Sequence, residues 1–164
     1  YEFLKQLIRN VLNDKGFRYD IIEAVVSCGY DNLTETLLRA EALNQMRTTD
    51  TFAKVLTAFT RANNLAKKAT TDVVDETCLV EEEERKLWQD VQFAEAAIAN
   101  FSAKRQFGEA LTIISTLEEY INAFFDAVMV MDENENIKNT RLALLVHVSN
   151  LSSKIADLTK IVQD

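Results

Sequence analysis

Between Asp50 and Lys68 the sequence spaces Lys54, Thr57, Arg61, Asn64 and Lys68 three or four positions apart. On a helix advancing 100° per residue these five share one side, and Phe52, Val55, Leu56, Phe59 and Ala66 share the other. A row of cations interleaved with a hydroxyl and an amide suits phosphate oxygens and nucleobase edges. The same row is also the pattern of an ordinary solvated helix face. Leu65, at the margin of the row, points to partial cover by another part of the molecule.

Other chemistry is sparse. The single histidine, His147, stands between apolar residues in a helical pattern and reads as a packed or half-exposed side chain, not a base. No glycine-rich loop is present to cradle phosphate, and no Ser, Cys or Thr has a recognisable base beside it. Asp132, Asn134 and Asn136 imitate the start of a calcium loop, but Ile137 stands where glycine is needed and Ala143 where the bidentate glutamate belongs. Cys28 and Cys78 lack metal-site spacing and read as small residues of a reducing compartment. Asp126, near a helix C-terminus, and Arg141, near a helix N-terminus, each oppose the local helix dipole. A bidentate contact of Arg141 with Asp126 or Asp132 would offset both penalties and staple the intervening turn.

The elements that position these residues are helical. The 164 residues contain no proline and three glycines, 48% are hydrophobic, and strand-like alternation is missing. The expected class is all-α, a bundle of about seven helices in one domain that buries about two-thirds of its unfolded surface. Its parts are a basic region 1–68, a linker 69–80 and an acidic bundle 81–164. Leu4, Leu7, Ile8, Val11 and Leu12 trace the buried face of a first helix that Gly16 ends. Asp20 and Glu23 form a D-x-x-E start for a short second helix, which stops at Gly29. A third places Leu33, Leu37, Leu38, Leu43 and Met46 inward. Glu81–Glu84 open the fifth, complementing its positive end. A sixth runs unbroken from Gly108 to Val128, and a seventh carries Leu142 through Ile161. The stretch Phe124–Leu145 then forms an antiparallel, closely packed helical hairpin. The chain begins at Tyr1 within a helical pattern and without an initiator methionine, as expected of a segment of a longer polypeptide.

The net charge of −8 weighs against a polyanionic partner, but it is uneven. Residues 1–68 carry ten basic and eight acidic side chains, a balance of +2, and residues 69–164 carry eight and eighteen, a balance of −10. Any nucleic-acid contact is therefore expected in the first part.

Four segments carry a family resemblance. The hairpin FFDAVMVMDENENIKNTRLALL is similar to a signature of the β subunit of bacterial, heterotetrameric glycyl-tRNA synthetases. DKGFRYDIIEAVV, TRANNLAKKA and the closing IADLTKIV resemble segments of the same family in the same order. Thr60–Arg61–Ala62 departs from a family pattern of two basic residues followed by valine, which thins the positive charge there. The resemblance implies an all-helical DALR-type anticodon-binding domain that recognises the anticodon stem-loop of the glycine tRNA and holds no bond-making residue. It also implies a cytoplasmic α2β2 complex in which the α subunit carries the ATP- and Mg-dependent aminoacylation site. The domain would have as partners that subunit and the rest of the β subunit, with no cofactor of its own. Under this reading Arg61, Asn64 and Lys68, with Lys15, Arg18 and Tyr19 at the first inter-helix turn, are the candidate tRNA contacts. Lys54 and Lys67 are secondary. Asn64 would read a base edge, Tyr19 would stack and the cations would hold phosphates. The alternative from a different class is a helical module that docks protein without touching RNA.

Overall fold

Helices form where the apolar period runs. The computed structural model describes residues 1–163, and among these it contains α1 (Glu2–Asp14), α2 (Tyr19–Val26), α3 (Leu33–Arg47), α4 (Phe52–Ala66), α5 (Glu82–Ala103), α6 (Phe107–Thr116), α7 (Glu118–Ala127) and α8 (Glu135–Asn150). Short 3-10 turns lie at Glu76–Cys78 and Leu158–Lys160. The protein is all-α. α4 is the central element: its most extensive packing is on α8, and it also meets α7 and the 158–160 turn. α5 lies against α6, α7 and α8, α3 joins α6, and α1 is attached through α2. One apolar core, including Leu12, Ile21, Leu56, Leu87, Ile114, Phe124 and Leu145, runs through both halves of the chain. A Leu, Ile or Phe fully buried in this way contributes about 1.5–3 kcal/mol.

Several expectations are corrected. Leu7 is 47% exposed and Leu4 is exposed as well, because α1 packs chiefly on α2 and needs a narrow seam of Ile8 and Leu12. Leu33 is exposed at the first position of α3. The break after α5 is made by Arg105, in the left-handed region at φ 58°, while Gly108 sits inside the first turn of α6. The expected continuous sixth helix is two helices meeting at Leu117. There the Thr116 hydroxyl donates to the Ile113 carbonyl at 2.7 Å, and the Leu117 amide turns to the Ile114 carbonyl at 3.1 Å. Side-chain hydroxyls competing for i−3 and i−4 carbonyls bend a helix in this way.

The hairpin also differs. α7 and α8 are not principal partners, because α4 packs against both. Extended backbone at Val128, with Val128 and Val130 buried, carries the chain across the end of the bundle before α8 begins. The seventh expected helix stops at Asn150, and Leu151, Ile155, Leu158 and Ile161 stay buried in successive turns. No helix among the described residues is long and apolar enough to cross a membrane.

The segment between α4 and α5 is tied down along its length. Thr140 Oγ1 accepts from the Asp75 amide at 3.3 Å, Trp88 Nε1 donates to Glu76 at 2.9 Å, and Arg85 donates to the Leu79 carbonyl at 2.8 Å. His147 lies edge-on to Trp88, with Nδ1 2.6 Å from a Glu95 carboxylate oxygen and Nε2 2.7 Å from the Asp72 carbonyl. It works as a clamp between α8, α5 and this segment.

Candidate RNA-binding face

The α4 row is real as a surface: Lys54, Thr57, Arg61, Asn64 and Lys68 are all exposed, opposite buried Phe52, Val55, Leu56 and Phe59. Positions 54 and 68 lie about 20 Å apart along a helix axis rising 1.5 Å per residue. Leu65 at the margin packs against the core. Ala66 is the last helical residue, so Lys67 and Lys68 follow the negative end of the helix dipole, where cations are stabilised. Lys67 turns away from the row and lines a polar groove of about 360 Å3 with Asn63, Ser149 and Asp157. Arg61 lies over the Phe125 ring of α7, its guanidinium carbon 4.1 Å from the ring centroid.

At the first inter-helix turn Lys15 is exposed, and Gly16, at φ 89°, makes the left-handed bend that follows α1. Tyr19 is 78% exposed, so it does not pack on the helix it opens. Arg18 donates to both carboxylate oxygens of Asp20, at 3.1 and 3.0 Å. The D-x-x-E pair does not form a capping box. Glu23 instead accepts twice from Arg9, at 2.7 and 2.9 Å, and Asp20 is a buried hub that accepts from the Ile21 and Val162 amides, each at 2.9 Å.

That hub joins the two candidate groups. The chain after α8 runs antiparallel to α2, with the Asp157 amide donating to the Ala24 carbonyl and the Val162 amide to Asp20. Gln163 Nε2 then reaches Thr57 Oγ1 on α4 at 3.4 Å. The closing segment therefore bridges Arg18–Asp20 to the α4 row, and it carries the exposed cation Lys160. Burial would raise the Asp20 carboxyl, but the Val162 amide, the Arg18 charge and the Ile21 amide outweigh it and hold the group below the usual carboxylate range. A depressed folded-state pKa gives stability that is present in full above the unfolded value of about 3.9 and is lost as pH falls through the folded value. Urea unfolding followed from pH 6 downward is expected to show an acid decline below about pH 4, and the Asp20→Asn variant a flatter one.

The proposed staple has a different geometry. Arg141 is buried, and its main partner is Glu84, wholly buried in the first turn of α5, with Nε of Arg141 donating to Glu84 Oε1. The other Glu84 oxygen accepts from the Glu81 amide at 3.0 Å, closing the start of α5. Arg141 also donates to the Met129 carbonyl at 2.7 Å and lies 3.4 Å from Asp132. Asp126 is exposed to solvent and is not the staple, since Arg141 is engaged by Glu84, the Met129 carbonyl and Asp132. Reading Glu81–Glu84 only as complement to a helix dipole missed Glu84; the clue available was a Glu three residues after the helix-capping position.

Elsewhere a cleft of about 880 Å3 opens between α3, α5 and α8 beside Tyr30, Arg39, Phe107 and His147. Its Arg39 and His147 are engaged by protein acceptors, and no cluster of candidate metal ligands occurs among the described residues. Asp132 and Asn134, the calcium-loop mimics, accept backbone amides in the turn and at the start of α8.

The α4 face is thus exposed and largely cationic on an all-helical scaffold, and sequence comparison supplies the family. Residues 55–162, from α4 to the closing segment, match the DALR anticodon binding domain, and the chain belongs to that family. It is 40% identical over 161 residues to the glycine–tRNA ligase β subunit of Desulforamulus reducens and 37% identical over 160 residues to those of Clostridioides difficile and Geotalea daltonii. Each comparison covers 98% of this chain and 23% of the relative, so the chain spans about a quarter of their length.

Proposed function

We propose that the chain binds the anticodon stem-loop of a glycine tRNA through the α4 row and the α1–α2 turn, as the anticodon-binding part of a glycine–tRNA ligase β subunit. Its family membership and the exposed Lys54, Arg61 and Lys68 support the reading. Phosphates are held by Lys15, Lys54 and Lys68, with Lys67 in the adjoining groove and Lys160 on the closing segment as further cations. Tyr19 and Asn64 are the stacking and edge-reading groups. In the whole ligase the remainder of the β subunit and the α subunit of an α2β2 assembly are its partners, and ATP- and Mg-dependent glycylation takes place away from this domain, in the cytoplasm. A module that docks protein without RNA contact is not favoured by the family match.

The test is a fluorescence titration with the anticodon stem-loop RNA at salt concentrations from about 50 to 200 mM. Affinity is expected to fall steeply with salt, and Lys54→Ala with Lys68→Ala to weaken binding and reduce the salt slope by about one per lysine. No binding at the lowest salt would refute the RNA reading.

A further inference from the structure

We propose that Arg61 is a stacking platform for one unpaired nucleobase of the RNA loop, and not a phosphate contact. The inference rests on the RNA-binding reading of the α4 row and assigns a specific role within it. The guanidinium of Arg61 lies over Phe125, 4.1 Å from the ring centroid, while the residue as a whole is exposed. Phe125 is itself buried and meets the fully buried Phe124 edge-on, with ring centroids 5.4 Å apart. The cation is thus seated on an aromatic ring anchored in the core.

A planar guanidinium has two faces. With the guanidinium carbon seated over Phe125 and the residue exposed, a face turned away from that ring is open to a ligand. This weakly hydrated, flat cation stacks well on π-systems, nucleobases included. Pre-seating the side chain also lowers the rotamer entropy lost on binding. The base would lie on Arg61, whose supporting ring, Phe125, is held edge-on by Phe124 in the core. Lys54 and Lys68, at either end of the row, are exposed point charges without a flat face, which is the chemistry for phosphates. Asn64 follows Arg61 by one turn and is exposed, placed to meet the edge of the stacked base.

Arg61→Lys keeps the charge and removes the plane, so it separates stacking from phosphate neutralisation. The chain is titrated with the stem-loop across the same salt range, and with a series in which each loop nucleotide in turn is abasic. Arg61→Lys and Arg61→Ala are both expected to weaken binding about tenfold or more. Arg61→Lys should leave the salt slope at the wild-type value. At one abasic position both losses should vanish, because the base that Arg61 stacks on is already gone. Lys68→Ala should lower the slope and couple to no base. The proposal is overturned if Arg61→Lys binds like wild type or if no abasic position abolishes the loss. Wild-type binding with either result leaves the RNA reading standing, whereas failure of wild type to bind at any salt overturns both.

Discussion

Replacing Arg141 by methionine is expected to destabilise the protein by about 3–5 kcal/mol, because it leaves the Glu84 carboxylate charged, buried and without its cation. The same change removes the donor to the Met129 carbonyl, one of the ties holding the α7–α8 connection. For a domain of this size the melting temperature should fall by roughly 10 °C. Glu84→Gln keeps the contact with the Glu81 amide in reach while removing the carboxylate charge, so it isolates the ion-pair contribution from the helix start. In the double variant Glu84→Gln/Arg141→Met no unmatched charge remains. Its cost is expected to be smaller than the sum of the single costs by at least about 1 kcal/mol, as groups in direct contact couple. Thermal unfolding of the four proteins measures this. A simple sum would show that the two groups act independently.

Arg39→Met is expected to cost about 3 kcal/mol by loss of hydrogen bonds. Arg39 is buried on α3, and no carboxylate lies within ion-pair distance of it among the described residues. It donates to the Val25 and Ile155 carbonyls at 3.0 Å, to the Gly29 carbonyl at 2.6 Å, and to Thr36 Oγ1 at 3.2 Å. One fork therefore closes the end of α2, the turn after it and the turn after α8. Burial pulls the guanidinium below its usual pKa, but arginine starts high enough to stay charged. Lysine cannot copy the fork and loses its proton more readily on burial, so Arg39→Lys should be nearly as destabilising. Urea unfolding with unchanged m-value and a lowered midpoint is the expected result. A midpoint shift worth under about 1 kcal/mol would show that water replaces the donor at those carbonyls.

The class and most helices were legible in the sequence because their signals are local. Apolar residues repeat every three or four positions, prolines are missing, and Gly16 and Gly29 follow the ends of the first two helices. The α4 row was legible for the same reason. What escaped depends on contacts distant in sequence. Arg39 looks like a surface residue until Ile155, 116 positions away, is brought to it. Glu84 looks like part of an acidic run until Arg141 arrives from α8. The Leu117 break escaped because propensity favours a helix there, and hydroxyl groups taking carbonyls undo it. The hairpin expectation failed because a short connection was taken to force contact, whereas α4 fills the space between α7 and α8. The candidate face was read as two separate groups, and the closing segment that joins them through Asp20 and Thr57 was read as helix.

The central claim is that the α4 row and the α1–α2 turn, with the closing segment between them, form the RNA-binding face, while α5, α6 and α7 stay clear of the RNA. Amide hydrogen exchange of the chain with and without the anticodon stem-loop tests it most directly. Added protection is predicted within 15–22, 54–68 and 157–163. Protection confined to 81–135, with the α4 row unchanged, would contradict the account.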